Sequence, residues 1–253
     1  MPSRKIVAEP PAGISSYLRE LLGDRRRHVD TVRERLFAYY GYPEGAPSGD
    51  PVGGIVGTIL SQHTSDTNSH RAYNSLRARF PTWGQVAEAP VAEVEEAIRS
   101  GGLATQKAPR IQATLRAIHE RFGAYDLSVL TTLPRDEARA LLMGLGAGIG
   151  PKTASCVLLF SVGIPAFCVD THIQRICARL GVIGPKDSPE KAQHVLEATV
   201  PPEDVRAMHV DMIRHGRGIC RAQRPQCERC PLLEMCVYGS ISQRQAANRD
   251  MTR

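Results

Sequence analysis

The chain has 253 residues, of which 42% are hydrophobic and 23% charged, a composition typical of a globular protein with a buried core. It contains no run of about 18 apolar residues, and the opening MPSRKIVAEPPAG has no hydrophobic segment. We therefore expect neither a membrane span nor a secretory signal, and infer a cytoplasmic protein. The net charge of +6 suits a polyanionic partner without requiring one.

Helical periodicity dominates the pattern of apolar residues. It is clear from Val29 to Tyr40 and from Val52 to Leu60. Similar stripes, bounded by Gly, Pro or capping residues, predict further helices near 66–79, 90–99, 106–121, 134–143, 151–162, 171–180, 189–198 and 203–214. Alternating strand patterns are sparse, so the predicted fold class is all-α. Residues 1–14 and 238–253 lack periodicity and are predicted to be tails.

A glycine-rich turn, LGAGIG, separates two of these helices, 134–143 and 151–162. Gly148 and Gly150 can expose backbone N–H groups beside a helix N-terminus, which suits a phosphate, although a plain helix–helix turn is the alternative. Lys152 lies on the first turn of the following helix, where the helix dipole disfavours an ammonium. A lysine at that position suits a protein that uses the neutral amine as a nucleophile.

Asp170 stands 18 residues after Lys152, at the start of the predicted helix 171–180. An aspartate there is typical of a helix N-cap. The same dipole keeps its carboxylate ionised, so a cap and a chemical role are compatible.

The cysteines are distributed unevenly. The chain has 7 cysteines, and an odd number without a signal peptide argues against a disulfide framework. Four of them fall in a C-x6-C-x2-C-x5-C pattern: Cys220, Cys227, Cys230 and Cys236. This spacing predicts a metal centre, and by itself it allows either zinc or a [4Fe–4S] cluster.

The sequence contains three motifs in this order: G-I-G-P-K-T-A, V-D-T-H-I-x-R, and H-G-R-G-I-C with the cysteine pattern. They resemble the motifs of endonuclease III and its relatives. These are helix-hairpin-helix DNA glycosylases with an iron–sulfur cluster, and the resemblance runs from about residue 28 to 237. It implies a two-lobed all-α fold with DNA across a cleft. A helical barrel of 46–164 would carry the hairpin at 134–162, and residues 15–45 and 165–237 would form the cluster domain.

The resemblance implies a bifunctional DNA N-glycosylase and abasic-site lyase that excises oxidised pyrimidines in base excision repair. Lys152 falls on the family's Schiff-base lysine, whose amine attacks the sugar C1′ of a flipped nucleotide and leads to β-elimination. Asp170 falls on the catalytic aspartate, which would deprotonate the amine or stabilise positive charge on the sugar. Two alternatives are a glycosylase of the same fold for mismatched thymine or another base, and a non-catalytic DNA-binding protein.

The resemblance also favours a [4Fe–4S] cluster over zinc at the four cysteines. It implies that the partner is double-stranded DNA with a damaged base or an abasic site. The expected protein is a monomer at the nucleoid of a bacterial cell, with no membrane association.

Several DNA contacts are implied by the same resemblance. The segment 59–71, ILSQHTSDTNSHR, matches the loop that enters the gap left by the target base, with His63 where bacterial enzymes typically carry glutamine. The segment GGLATQKAPRI matches a second wedge loop with Leu103 at its tip. Arg221 and Arg224 lie inside the first cysteine loop and are expected to contact DNA phosphates, unless they only offset the charge of the cluster.

Overall fold

The computed structural model describes residues 23–146 and 148–241, together with Ser16 and Glu20. The predicted N-terminal tail, 1–14, lies outside the described residues, as does 242–253 of the predicted C-terminal tail. Within the described part of that tail, the chain is helical up to Ile241, and the Tyr238 ring packs on the guanidinium of Arg179.

The described residues form α-helices, short 3-10 turns and a π turn, with no β-strand among them, which confirms the all-α fold class. The helices are α1 (Arg25–Tyr40), α2 (Pro51–Ser61), α3 (Asp66–Arg79), α4 (Trp83–Glu88), α5 (Val91–Ala97), α6 (Ala104–Phe122), α7 (Arg135–Met143), α8 (Pro151–Val157), α9 (Thr171–Leu180), α10 (Pro189–Thr199) and α11 (Val205–Gly218). None of the described helices is long and apolar enough to cross a membrane.

The chain divides into two compact units. Residues 45–168 form one, which we call the hairpin unit. Residues 1–44 and 169–253 form the other, which we call the cysteine unit because it contains the four clustered cysteines.

Helix α2 lies at the centre of the hairpin unit, where it packs against α3, α6 and α8. Asp50 caps its N-terminus by accepting a 2.8 Å hydrogen bond from the backbone N–H of Gly53. Gly54 allows a close approach to the segment after α8, because a Cβ at that position would lie 2.1 Å from Oγ of Ser161. The buried residues of α2 include Val52, Ile55, Val56, Ile59 and Leu60. Burial of each such side chain contributes about 1.5–3 kcal/mol.

The helix predicted over 151–162 changes its geometry partway. It is α-helical to Val157 and then forms a π turn at Leu158–Val162. Gly163, with φ +90°, ends the turn and donates its N–H to the carbonyl of Leu158 at 2.8 Å. In the same turn, the carbonyls of Phe160 and Ser161 accept hydrogen bonds from Ser48 and Gly49, so backbone groups freed from the α-helical pattern are satisfied.

Helix α4 was not expected from periodicity. It has only 6 residues, Trp83–Glu88, too few for an amphipathic stripe to be visible. Its signal is the capping box formed by Thr82 and Gln85, each of which binds the backbone of the other.

In the cysteine unit, α9 packs against α11, and α1 packs against both α10 and α11. Its core is apolar and includes Val29, Val32, Leu36, Ile173, Ile176, Leu180, Leu196, Met208 and Met212. The buried His28 joins two parts of the unit through a 3.1 Å hydrogen bond between Nε2 and the carbonyl of Leu180. Desolvation lowers the pKa of His28, which favours the neutral ring in this core.

Candidate active site and DNA-binding loops

The hairpin turn joins α7 to α8 and depends on glycine at one position. Gly148 has φ +108°, a region that favours glycine. A Cβ there would also lie 2.3 Å from Cδ of Arg110. Gly150 is exposed and stands at the N-cap of α8, with open space around it. Gly150 therefore leaves the N-terminus of α8 open to a ligand, an arrangement that suits a phosphate.

Lys152 is the second residue of α8, after Pro151 at the first helical position. Its side chain is exposed. Pro151 suits the first helical position because its missing N–H would have no partner there, and Lys152 stands in the first turn, at the positive end of the helix dipole. The structure thus leaves this amine accessible to a substrate.

Asp170 caps α9 in the cysteine unit. Its Oδ1 accepts a hydrogen bond of 2.9 Å from the backbone N–H of Ile173, and its side chain is only partly buried. The second carboxylate oxygen is not needed for the cap. Asp170 and Lys152 belong to different units.

The four clustered cysteines line one pocket of about 290 Å³, part of it open to solvent. None of the four, Cys220, Cys227, Cys230 and Cys236, forms a disulfide. Burial raises the pKa of Cys230 to about 12 and that of Cys236 to about 11, which by itself favours the neutral thiol. A bound metal would reverse this preference, because thiolates are the ligating form.

Four thiols that line one pocket are a donor set for a metal centre. Within the described residues, no three Cys, His, Asp or Glu side chains form a group arranged to hold a single metal ion. Four thiolates around one tetrahedral zinc would lie about 3.8 Å apart, given a Zn–S distance of about 2.3 Å. Thiolates on the corners of a cubane lie farther apart. Four cysteine thiolates are a donor set that fits an iron–sulfur cluster, and zinc accepts the same set.

An arginine of α9 holds the loop between the first two cysteines. Nη1 of Arg179 donates to the carbonyl of Arg221 at 2.7 Å and to Sγ of Cys220 at 3.3 Å. Its Nη2 donates to the carbonyl of Ala222 at 3.0 Å, and its guanidinium lies over the Tyr238 ring at 4.5 Å. This loop is therefore ordered by contacts from another helix.

A second arginine lies one turn earlier on α9. Arg175 donates to the carbonyls of Cys220 at 2.8 Å and Gly216 at 3.0 Å. Arg175 ends the motif V-D-T-H-I-x-R, but the sequence predicted no role for it, and Arg179 was not noticed. Their separation by four residues, which places Arg175 and Arg179 on one helix face, is the signal that was available.

Three of the predicted DNA-contact residues share an uncommon backbone conformation. His63, Leu103 and Arg224 have φ of +54°, +52° and +49°, and no other non-glycine residue in the described ranges has a positive φ. Each such residue costs about 1–2 kcal/mol. All three are exposed, and strain of this kind concentrates at functional sites. Arg221 is exposed with ordinary φ, and its Nε donates to the carbonyl of Gly218 at 3.0 Å.

Residues 56–202 match the family described as HhH-GPD superfamily base excision DNA repair protein. Endonuclease III of Bacillus subtilis is 34% identical over 180 residues, covering 71% of this chain and 78% of the relative. Endonuclease III of a Synechocystis strain is 31% identical over 233 residues, covering 90% and 100%. A solved endonuclease III, trapped as a covalent intermediate with DNA, superposes with a TM-score of 0.73 at 30% identity, covering 86% of this chain and 98% of that one.

The chain therefore belongs to the HhH-GPD superfamily of base excision DNA repair proteins and, within it, to the endonuclease III family. Its activity class is accordingly that of a DNA glycosylase and abasic-site lyase of base excision repair.

Proposed function

We propose that this protein excises oxidised pyrimidines from double-stranded DNA and then cleaves the abasic site by β-elimination, acting as a monomer at the nucleoid. The observation that carries the proposal is the exposed Lys152, directly after the glycine-rich hairpin turn, in a chain of the endonuclease III family. An accessible amine at that position is what separates a glycosylase with lyase activity from one that uses water.

The chemistry assigns one lysine to two steps. Nζ of Lys152 forms a bond to C1′ as the bond between C1′ and the base breaks, and the base leaves with the electron pair. Loss of a proton from nitrogen and opening of the sugar ring give an imine. The imine acidifies the C2′ proton, so its removal breaks the C3′–O bond. Asp170 accepts the amine proton or stabilises the positive charge on the sugar during the first step.

The hairpin and the two loops hold the DNA for this reaction. Backbone N–H groups of Gly148 and Gly150 bind a phosphate, while His63 and Leu103 enter the gap left by the extruded nucleotide. Extrusion costs a few kcal/mol, which contacts to the stranded base and its neighbours offset. Support comes from the exposure of both side chains and from the left-handed backbone that projects each one from its loop.

A lesion panel tests the substrate class. Duplexes with oxidised thymine, oxidised cytosine, a thymine–guanine mismatch or oxidised guanine are incubated under single-turnover conditions, with and without borohydride. We expect excision and trapping on both oxidised pyrimidines at rates at least about tenfold above the other two, because pocket contacts to polar groups discriminate strongly. Faster excision from the mismatch than from either oxidised pyrimidine would overturn the proposed substrate.

The four cysteines would hold a [4Fe–4S] cluster. When bound, it would supply iron–sulfur bonds that close the cysteine loop, adding to the clamp made by Arg179. The protein residues keep the loop backbone in place around that centre. The loop held in this way would present Arg221 and Arg224 to DNA phosphates.

Iron content provides a direct test of the cofactor. We expect protein purified without chelators to be yellow-brown, with about four irons per chain and no stoichiometric zinc. Replacing Cys227 with serine should cut soluble yield and iron content, because cluster assembly is part of the folding of that loop. Replacing the buried Cys177, which lies outside the pocket, with alanine is the control and should retain iron. One zinc per chain in native protein would contradict the assignment.

Arg224 is expected to contact a phosphate rather than a base. Replacing it with alanine should weaken binding to all duplexes alike and lower the slope of log K against log salt by about 0.9. Arg79, an exposed arginine paired with Glu93 on the hairpin unit, is the matched control, and its replacement should leave the slope unchanged. A loss confined to one sequence or lesion would show that Arg224 reads bases.

A further inference from the structure

Lys107 of α6 is a buried cation joined to two loops. Its side chain is 2% exposed. Nζ donates to the carbonyl of Leu60 at 2.7 Å and to that of Gly101 at 2.8 Å. Leu60 lies in the last turn of α2, directly before the loop of His63, and Gly101 lies two residues before Leu103. One ammonium therefore fixes the starting points of both loops.

Burying an ammonium is costly unless its donors are satisfied. Desolvation lowers the pKa of Lys107, with a smaller contribution from the nearby charge of Arg110. An apolar residue at this position would avoid that cost but would leave two buried carbonyls without the donor. The buried ammonium is therefore explained by the two hydrogen bonds that hold these carbonyls together.

Arg110, one turn further along α6, reaches two other parts of the same unit. Its Nη1 donates to Oε1 of Gln62 at 2.9 Å, in the loop next to His63. Its aliphatic stem lies against the hairpin turn, because Cδ occupies the space that a Cβ on Gly148 would need. This contact adds to the reasons for glycine at that position.

We propose that Lys107 and Arg110 are positioning residues for DNA recognition. Lys107 fixes the two wedge loops against each other, and Arg110 fixes the first of them against the hairpin turn. The three elements thus meet the duplex with fixed spacing, so little ordering is required when the nucleotide leaves the stack. The inference rests on the proposed insertion of His63 and Leu103.

The main test compares Lys107→Met with a control on the same helix. Arg116 of α6 donates to the carbonyl of Ala87 at 2.7 and 3.1 Å, and Ala87 belongs to neither loop. Arg116→Met removes a similar pair of hydrogen bonds without touching the loops. Lyase rates are measured on the same abasic nucleotide in a duplex and in a single strand, and thermal unfolding is followed in parallel.

We expect Lys107→Met to lower the duplex rate about tenfold while the single-strand rate stays within about twofold, since a misplacement of about 1 Å can cost more than this. Arg116→Met should keep the wild-type ratio of the two rates, whatever stability it loses. Equal ratios for Lys107→Met, Arg116→Met and wild type would overturn the inference.

Arg110→Met provides a second variant that does not depend on the folding of the first, because Arg110 is only partly buried. We expect a duplex-specific loss of about threefold. Gln62→Ala should cause a similar loss, and the double variant should be no worse than either single one, as for residues that act through one contact. Fully additive losses would overturn the role assigned to this pair.

His63→Ala and Leu103→Ala serve as reference variants. If neither shows a duplex-specific loss, the wedge role in the proposed function is wrong, and the positioning role falls with it. If both show the loss while Lys107→Met and Arg110→Met keep the wild-type ratio, only the positioning role is wrong. Absence of lyase activity from the wild-type protein on both substrates would contradict the proposed chemistry itself.

Discussion

Replacing Lys152 with alanine is expected to abolish the adduct that borohydride traps between the protein and abasic DNA, while binding to a lesion duplex stays within a few-fold of wild type. Trapping requires an imine, and an imine requires the amine that this substitution removes. Binding depends chiefly on phosphate contacts from the hairpin backbone and arginines, which are unchanged. Trapping on a gel and a binding titration with the same duplex measure the two effects.

Two further variants separate the amine from its charge. Lys152→Arg keeps a positive charge but supplies no nucleophilic amine, so it should bind DNA and fail to trap. Lys186→Ala removes another exposed lysine, in the cysteine unit, and should trap like wild type. Persistent trapping by Lys152→Ala would show that another amine is the nucleophile. The buried Lys107, with its ammonium bound to two carbonyls, is poorly placed to replace it.

The sequence predicts helices most accurately where an apolar stripe coincides with a capping residue. The predicted helices 66–79 and 171–180 have the observed bounds, and each begins after a side chain that caps it, Ser65 or Asp170. Such caps can be predicted because they depend on residues that are adjacent in the sequence. The π turn after Val157 could not be predicted, because it depends on backbone contacts with Ser48 and Gly49, more than a hundred residues earlier in the chain.

The same distinction holds for the candidate site. The positions of Lys152 and Gly150 at a helix N-terminus could be predicted from the turn and the helix that contain them. The contacts of Lys107 and Arg179 could not be predicted, because their hydrogen-bond acceptors lie 47 and 41–43 residues away in the sequence. The left-handed backbone at His63 also escapes a sequence-based prediction, since a positive φ is uncommon for any non-glycine residue, even for histidine, which adopts it more often than most.

Replacing Asp170 with asparagine is expected to slow base excision on the order of 100-fold or more, while the lyase rate on a preformed abasic site falls less than about fivefold. Excision develops positive charge on the sugar and needs the carboxylate, whereas an abasic aldehyde has no base to expel. Asparagine caps a helix about as well as aspartate, so the hydrogen bond to Ile173 and the fold are retained. Single-turnover assays on the two substrates give the two rates.

Asp170→Ala separates the cap from the charge. It removes both, so it should lose about 1 kcal/mol of stability in addition to the excision defect, whereas Asp170→Asn should unfold near the wild-type temperature. If Asp170→Asn slows excision and lyase action equally and also lowers the unfolding temperature, Asp170 acts only as a cap of α9. A selective excision defect at unchanged stability requires a carboxylate that acts on the substrate, because no change in the helix would distinguish a base from an aldehyde.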